Sequence, residues 1–302
     1  MITVNFLMSD FKVVNRELTL RKFEYFCEVE QVKKLFDFYL DASIHVALAV
    51  VSLYAVSCYF MGIKCNTNLM AFIGLGTIVC YNFMKYGVEA EKYLVLSNKY
   101  HKAIQMFSFL CFGVSVYFML RLQLDILLSI AVLGLVSLLY ALPILPRYKN
   151  LRSLGLLKIF IVAFVWTGFT VFLPLKDAEL HFNWDVWVLL TQRFFLVLAL
   201  IIPFEIRDMH LDAPELKTLP QRLGVTGSKR FGYILTVLFF LASFLKDEVS
   251  LAEISSVCIV AVLLVLALFR TQESQPNYFS SFWVESIPIF WWILLIKTAD
   301  FY

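Results

Sequence analysis

Nine runs of mostly apolar residues, each long enough for a membrane-crossing helix, divide this sequence into hydrophobic segments and short polar connections. The runs cover residues 38–61, 67–84, 103–120, 124–142, 156–174, 184–204, 231–246, 250–269 and 282–298. A transmembrane helix needs about 20 such residues, whereas a strand of an outer-membrane barrel needs only about ten, with alternating character. Since 61% of the 302 residues are hydrophobic and 16% are charged, we predict an all-α, polytopic membrane bundle of about nine transmembrane helices.

Lysine and arginine are distributed unevenly between the two sides that these runs define. With the N-terminus inside, twenty basic residues fall on the cytoplasmic side and five on the other, while Arg193 lies within the sixth run. Basic residues accumulate in cytoplasmic loops. We therefore predict a cytoplasmic N-terminus, an external C-terminus and working loops after the second, fourth and sixth runs. The expected setting is a multi-pass protein of the inner (cytoplasmic) membrane of a bacterium.

The polar N-terminal segment and the rest of the chain are predicted to be separate units. Residues 1–36 carry charges throughout and contain no continuous apolar stretch, which predicts a cytoplasmic segment without a cleaved signal peptide. Residues 37–302 form one predicted transmembrane domain. The six cysteines show no pairing typical of zinc or of a disulfide framework. The net charge of +3 gives no ground for a nucleic-acid partner, so the lipid bilayer is the expected environment.

The most informative polar stretch, IIPFEIRDMHLDAPELKTLP, occupies residues 201–220 and follows the sixth apolar run. Pro203 is expected to kink or end the regular helix, and a helical piece of about ten residues is predicted after it. On that piece Glu205, Asp208 and Asp212 share one face, because residues three, four and seven apart are neighbours on a helix. Three crowded carboxylates near a bilayer require a cation opposite them.

Two kinds of cation would meet these carboxylates. The first is a basic side chain, from Arg207, Lys217 or the basic loops, in a purely structural salt bridge. The second is magnesium, a hard ion that prefers oxygen ligands and would take a phosphate to complete its shell.

The stretch EIRDMHLDAPELKTLPQRLG resembles the second aspartate-rich motif of the UbiA family of intramembrane prenyltransferases, which reads approximately DxRDxxxD and continues to TLP and a Gly. Glu205, Asp208 and Asp212 stand at the acidic positions, and Thr218–Pro220 supply the TLP. The resemblance implies that these three carboxylates are catalytic and bind Mg²⁺, and that Arg207 contacts a diphosphate. The family also has nine transmembrane helices with cytoplasmic working loops, in agreement with the topology predicted from hydropathy and charge.

The stretch YALPILPRYKNLRSLG, after the fourth run, resembles a second pattern of this family: a Tyr, a Pro and a basic residue seven positions after the Tyr. Tyr140, Pro143 and Arg147 have this spacing, and Lys149 follows closely. The resemblance implies that Tyr140, Arg147 and Lys149 contact the lipid diphosphate. A cluster of Arg147, Lys149 and Arg152 beside the membrane suits such a ligand chemically. A basic anchor that only orients the chain is the alternative.

The end of the second run departs from the family pattern. Where the family reads NDxxDxxxD, with carboxylates for a second magnesium, this chain reads YNFMKYGVEAEKY. Asn82 matches, but the acidic positions hold Phe83, Tyr86 and Ala90. On a continuing helix Glu89 lies about 20° from Asn82, and Lys85 about 60°. We therefore expect Asn82 and Lys85 to contact the diphosphate and Glu89 to be a substitute metal ligand. The alternative for Lys85 and Glu89 is that each is a solvated loop charge.

Several other polar residues lie within the apolar runs. Asp37, Asp41 and His45 share one face near the inner end of the first run, and Gln192 and Arg193 lie near the middle of the sixth. Ionisable residues inside a membrane are functional candidates by default. The sequence nevertheless assigns no definite role to Asp41, His45 or Arg193.

The resemblance implies a magnesium-dependent membrane prenyltransferase that moves an isoprenyl group from a lipid diphosphate to a hydrophobic, aromatic acceptor. Magnesium and basic groups would stabilise the leaving diphosphate while an allylic carbocation forms in a water-poor cavity. Because the first acidic motif is degraded, a non-catalytic relative that binds lipid diphosphates is the alternative. A cation-coupled transporter is a third hypothesis, although transporter sites lie nearer the membrane midplane.

Overall fold

The structure, a computed structural model, describes residues 30–88, 99–142 and 151–299, and every regular element in these ranges is helical. The α-helices are α1 (Glu30–Asp41), α2 (Ile44–Phe60), α3 (Thr67–Asn82), α4 (Lys99–Met119), α5 (Leu124–Ala141), α6 (Leu157–Thr167), α7 (Trp184–Asp208), α8 (Leu219–Ala242), α9 (Leu251–Arg270) and α10 (Ser286–Ala299). Phe83–Val88 continues α3 as a π-helix, Gly168–Phe172 and Leu173–Asp177 continue α6, and Phe279–Val284 precedes α10. The predicted all-α fold is confirmed.

The number of membrane spans agrees with the prediction. In the described ranges, eight helices with their extensions are long and apolar enough to cross a membrane, and α1 with α2 makes a ninth if their 54° bend is counted within one span. The predicted first run, 38–61, is interrupted at this bend, where Ser43 has a φ of 58°. A residue in the left-handed region cannot continue a right-handed helix, so the first span is bent.

Helix α7 lies at the centre of the bundle. Of its apolar segment, 67% of the residues are buried, against 17% in α4 and 28% in α5. Leu196 and Ile206 of α7 belong to the main core together with Phe239 of α8 and Leu264 of α9. A helix that is apolar all round is enclosed by others. The helix also continues through Pro203, where the sequence predicted a kink or an end.

Helix α8 begins earlier than predicted. The seventh apolar run was expected from residue 231, but the helix begins at Leu219 and bends at Gly224, which has a φ of 68°. At its start, Gln221 accepts a hydrogen bond from the backbone N–H of Thr218 at 2.9 Å, as in a capping box. The prediction from hydropathy did not include the start of α8, because many of its residues are polar even though they form a helix.

Gly155 determines where α6 begins. Its φ is 61°, and a Cβ at this position would lie 1.9 Å from the carbonyl oxygen of Leu216. Only glycine allows two backbones to approach so closely. The 3₁₀ turn Pro214–Leu216 is thereby held against the residues that precede α6. This contact brings the first turn of α6 beside the end of α7.

The orientation across the membrane is a prediction that reporter fusions can test. We expect a fluorescent protein, which matures in the cytoplasm, to fluoresce when inserted in the connections after α3, α5 and α7. Alkaline phosphatase, which is active outside the cytoplasm, is expected to be active at the C-terminus. Both expectations follow from the imbalance of basic residues. A fluorescent fusion at the C-terminus would contradict the predicted orientation.

Candidate functional site

Charged side chains gather at one end of the bundle, where the α1–α2 bend, the ends of α3 and α7 and the starts of α6 and α10 meet. This region, termed the charged end, is defined by Asp41, Lys85, Arg152, Lys158, Glu205, Arg207, Asp208, Asp212 and Glu285. Residues that follow the second, fourth and sixth spans thus meet at the same end. In the predicted orientation this end faces the cytoplasm.

A buried ion triad joins α6 to the segment that ends α7. The Lys158 ammonium, in the first turn of α6, lies 3.0 Å from Oε1 of Glu205 and 2.7 Å from Oδ2 of Asp212. The side chains of Lys158, Glu205 and Asp212 are 8%, 10% and 15% exposed. With so little water around them these charges attract strongly, and each would be costly without its partners. Two of the three predicted acidic residues therefore meet around a lysine.

A turn after α7 points Asp212 towards Lys158. Glu205 lies in the last turn of α7, which ends at Asp208. The backbone N–H of Asp212 then donates to the carbonyl oxygen of Asp208 at 2.9 Å. Gln221 of α8 donates to the carbonyl oxygen of Asp212, also at 2.9 Å. The helical piece predicted over this stretch is thus shorter than expected, and the turn brings Asp212 back to the triad.

Asp208 lies apart from the triad. Its two carboxylate oxygens accept hydrogen bonds from Arg207 at 2.7 and 3.1 Å, and 34% of its side chain is exposed. Glu205, Asp208 and Asp212 therefore do not point to a common centre. Across residues 30–88, 99–142 and 151–299, no three or more Asp, Glu, His or Cys side chains converge as metal ligands would.

The donors around the triad do not fit magnesium in this arrangement. Magnesium requires near-octahedral oxygen ligation at about 2.0–2.1 Å, whereas Glu205 and Asp212 hold an ammonium between them at hydrogen-bond distance. Oε2 of Glu205 is buried and has no hydrogen-bond partner among the described residues. The geometry is that of an ion triad with one unused carboxylate oxygen. The magnesium ligand set stays a prediction, and Glu89, its fourth member, lies outside the described residues.

Asn82 holds the α1–α2 bend against α3 and α4. Its side chain accepts a hydrogen bond from Ser43 Oγ at 2.7 Å and donates to the Ala42 carbonyl oxygen at 3.0 Å and to Ser108 Oγ at 2.8 Å. Asn82 is only 3% exposed. These bonds explain why a polar residue is buried here. Its contact with a diphosphate stays a prediction.

Replacing Asn82 tests this structural role. We expect Asn82→Leu to lower the free energy of unfolding by about 2–3 kcal/mol, because the buried partners at Ser43 and Ala42 lose their hydrogen bonds. Chemical unfolding in detergent micelles measures the change. Asn68→Leu is the control, since Asn68 makes its hydrogen bond through the backbone N–H. Equal stability of the two variants would contradict the assigned role.

Lys85 pairs with Asp41 on the other side of the charged end. Nζ of Lys85 lies 3.2 Å from Oδ1 of Asp41, and the side chains are 46% and 40% exposed. Tyr100 donates to the second carboxylate oxygen of Asp41 at 3.0 Å. A pair this exposed is screened by water and contributes little stability, so Lys85 can exchange its partner for a ligand. Asp41, without a role in the sequence analysis, is the counterion of Lys85.

Tyr140, the first residue of the predicted Tyr–Pro–basic pattern, lies at the charged end. It lies close enough to Arg152, Glu205 and Asp212 for their charges to act on its hydroxyl. Its contact with a diphosphate stays a prediction. The other members of that pattern, Arg147 and Lys149, lie outside the described residues.

Two residues of the charged end were missed by sequence reasoning. Lys158 was counted only among the basic residues that set the orientation, because its partner Asp212 is 54 positions away in the chain. Glu285, just before α10, was not selected, although Arg207 and Lys85 lie close enough for their charges to act on its carboxyl group. The signal for Glu285 was available, since a carboxylate inside the run 282–298 is a functional candidate.

His45 and Asp37 connect the bent first span to the start of α10. The His45 ring hydrogen-bonds to the Tyr39 hydroxyl at 2.6 Å and to the Phe282 carbonyl oxygen at 3.0 Å. Asp37 accepts a hydrogen bond from the Tyr278 hydroxyl, and this bond raises the pKa of Tyr278 above its ordinary value. These contacts explain His45 as a packing residue.

Arg193 lies deep in the bundle, away from the charged end. Its Nη2 donates to Ser57 Oγ at 2.9 Å, and its guanidinium lies 5.5 Å from the centre of the Trp291 ring. The residue is 1% exposed, and Nη1 has no partner among the described residues. A serine and an aromatic face thus replace the carboxylate that usually accompanies a buried cation.

Comparison with known proteins supports a shared fold. No family model and no curated protein matches this chain. The apo structure of a UbiA homolog from Aeropyrum pernix K1 has a TM-score of 0.61 at 13% identity, covering 84% of this chain and 98% of that chain. A structure of digeranylgeranylglyceryl phosphate synthase has a TM-score of 0.52 at 16% identity, covering 88% and 99%. The predicted UbiA-like polytopic fold is confirmed.

Proposed function

We propose that this chain, which has the UbiA-like polytopic fold, is a divergent prenyltransferase of that family that transfers an isoprenyl group from a lipid diphosphate to a hydrophobic acceptor. The charged end carries this proposal, because acidic and basic side chains from α3, α6, α7 and the start of α10 meet at one end of an apolar bundle. A lipid diphosphate has the same two parts, because its diphosphate suits the charged end and its apolar tail suits the bundle. We place the charged end in the cytoplasm of a bacterium and take an aromatic ring as the acceptor.

The charged end suits the departure of the diphosphate. The bond between the allylic carbon and the diphosphate oxygen breaks, so negative charge grows on the leaving group while the prenyl carbon becomes cationic. Lys85, Arg152 and Arg207 would stabilise the leaving group through charge-assisted hydrogen bonds. The acceptor ring then attacks the cation and loses a proton.

Aromatic side chains near the charged end suit the cationic intermediate. Trp166 donates its ring N–H to the Tyr81 hydroxyl at 3.0 Å, and the two ring centres are 6.5 Å apart. Tyr81 is also within electrostatic range of Glu285 and Tyr140, which places the pair beside the charged end. Aromatic faces stabilise a cation, and a site enclosed by apolar walls excludes the water that would consume it.

Magnesium is the cofactor that the resemblance implies, with Glu205, Asp208 and Asp212 as its ligands. When bound in such a site, it neutralises charge on a leaving diphosphate. Because Lys158 and Arg207 occupy these carboxylates here, we assign the stabilisation of the leaving group to the basic side chains.

Diphosphate release tests the proposed reaction. Purified protein in lipid nanodiscs is expected to release inorganic diphosphate from at least one of geranyl, farnesyl and geranylgeranyl diphosphate when an apolar phenol is supplied. Arg207→Ala should slow this release about tenfold or more, because a charge-assisted hydrogen bond to the leaving group is lost. Lys102→Ala, an exposed lysine of α4, is the control. Donors that are neither bound nor cleaved at any chain length would contradict the proposal.

A non-catalytic lipid-diphosphate-binding protein is the second candidate. The Lys158 triad favours it, because two of the three motif carboxylates are already neutralised. A donor that is bound, as seen by native mass spectrometry, but never cleaved would select this candidate. A transporter is disfavoured, since the acidic groups lie at one end of the bundle and not at its middle.

A further inference from the structure

We propose that the Lys158 ammonium takes the place of a divalent metal ion between Glu205 and Asp212, so that the charged end binds a lipid diphosphate without magnesium. The identity of the ligand rests on the proposed function. The substitution of an ammonium for a metal rests on the buried triad.

The geometry of the ammonium allows it to bridge protein and ligand. A lysine ammonium has three N–H donors. Glu205 and Asp212 lie at 3.0 and 2.7 Å from Nζ, and no third acceptor for this ammonium is found in the described part of the chain. The remaining N–H can donate to a phosphate oxygen. A metal ion held by carboxylates on one side and open to phosphate on the other would connect the same groups.

The lysine also prevents a metal from entering the same position. Lys158 is 6% exposed, so little water separates its charge from anything placed between the two carboxylates. A divalent ion there would lie within a few ångströms of the ammonium and be repelled strongly at low dielectric. Asp208, which would be a third ligand, is bound by Arg207. A metal can therefore bind only if Lys158 leaves the triad.

The same arrangement, a lysine beside a carboxylate where a metal site would be expected, recurs around Lys85. In the family motif that this stretch resembles, acidic residues stand where this chain has Phe83 and Tyr86, and the nearby carboxylate of Asp41 is paired with Lys85 at 3.2 Å. A lysine next to a carboxylate is thus present both in the Lys158 triad and at Lys85. An ammonium provides a single charge without the strict ligand number that magnesium demands.

The charge balance of the charged end is consistent with a metal-free site. The nine residues that define it comprise five carboxylates and four basic side chains. Nearly every carboxyl group at this end has a basic side chain beside it, so the region is far less negative than the three carboxylates of the motif alone would be. In a metal-dependent site, a divalent ion screens the repulsion between the carboxylates and an anionic ligand. Here the lysines and arginines already screen most of that repulsion.

Binding measurements with and without magnesium test the proposal. The full-length protein in nanodiscs is titrated with geranylgeranyl diphosphate in EDTA and in excess magnesium. We expect the Kd of the unaltered protein to differ by less than about twofold between the two buffers, because Lys158 already supplies the cation. Lys158→Met should weaken binding in EDTA about tenfold or more, with recovery in magnesium, because the vacated carboxylates can then hold the ion. Lys102→Met should bind as the unaltered protein does.

Manganese provides a second readout that requires no donor. Electron paramagnetic resonance should detect no Mn²⁺ bound at the charged end of the unaltered protein, but bound Mn²⁺ in Lys158→Met. The double variant Lys158→Met/Glu205→Gln removes the ammonium and one carboxylate, so it should bind no Mn²⁺ and should bind the donor as weakly as Lys158→Met does in EDTA, without recovery in magnesium. If two unpaired carboxylates prevent Lys158→Met from folding, the Kd of the unaltered protein in the two buffers and its lack of bound Mn²⁺ carry the test.

The outcomes separate this inference from the proposed function. Donor binding that requires magnesium in the unaltered protein would overturn the inference and leave the proposed function standing. So would Mn²⁺ bound by the unaltered protein and released by Asp212→Asn. Absence of donor binding in both buffers would overturn the proposed function together with the ligand assigned to the triad.

Discussion

Glu205→Ala is expected to destabilise the protein by about 3 kcal/mol, because it leaves the buried Lys158 ammonium with a single carboxylate. The two side chains are 3.0 Å apart and 10% exposed or less, so the ammonium is left with little surrounding water. The alanine also leaves a void against the apolar core at the end of α7. Guanidinium unfolding in detergent micelles, followed by near-ultraviolet circular dichroism, measures the effect.

The exposed ion pair next to the triad supplies a matched control. Asp208 is held by Arg207, but their side chains are 34% and 40% exposed. Asp208→Ala is therefore expected to change the free energy of unfolding by less than about 1 kcal/mol. If Asp208→Ala lowers the free energy of unfolding as much as Glu205→Ala does, burial does not determine how much the triad stabilises the protein.

Gly155→Ala is expected to be equally severe, lowering the free energy of unfolding by about 3 kcal/mol or more. The new Cβ would lie 1.9 Å from the carbonyl oxygen of Leu216, which requires the two backbone segments to separate. A φ of 61° also strains alanine. Because α6 begins two residues later, we further expect the distance between Lys158 and Asp212 to increase, which a crystal or cryo-electron-microscopy structure of the variant would measure.

A second glycine tests whether the effect is specific to this contact. Gly134 lies in α5 with no atom within 4 Å of an added Cβ. Gly134→Ala should be neutral or stabilising by up to about 1 kcal/mol, since alanine favours helix. If Gly155→Ala is tolerated as well as Gly134→Ala, the close approach to Leu216 does not position α6.

The helical spans could be predicted because the membrane leaves few alternatives. A long apolar run in a bilayer must satisfy its backbone hydrogen bonds internally, so it forms a helix. The same reasoning fails where a helix is polar. Leu219 to residue 230 belongs to α8, yet its composition resembles a loop. The break at Ser43 was also missed, because nothing in the local sequence requires a φ of 58°.

The candidate site was predictable as a location but not as an arrangement. Helical spacing predicted that Glu205, Asp208 and Asp212 share one face, but it assumed that the helix continues to Asp212. The helix ends at Asp208, and a turn separates the third carboxylate from the second. Sequence neighbours could not identify Lys158 as the cation, because it is 54 positions away from its partner Asp212 in the chain.

Asn82 illustrates a different limit. It matches the first residue of an acidic family motif, and the sequence analysis assigned it to ligand binding for that reason. In the structure its side chain bonds to Ser43, Ala42 and Ser108. Those partners lie in α4 and in the break before α2, so only the tertiary fold reveals them. A residue that matches a motif position can therefore serve packing.

The buried guanidinium of Arg193 has a consequence for biogenesis. Ser57, its hydrogen-bond acceptor, is synthesised before it, whereas Trp291, whose ring faces it, is synthesised near the end of the chain. A lone cation at the centre of a membrane helix costs about 2.5–3.5 kcal/mol on insertion. During translation the Arg193 guanidinium therefore lacks the Trp291 ring until α10 has been synthesised. A nascent chain that stops before α10 is expected to remain in contact with the insertion machinery.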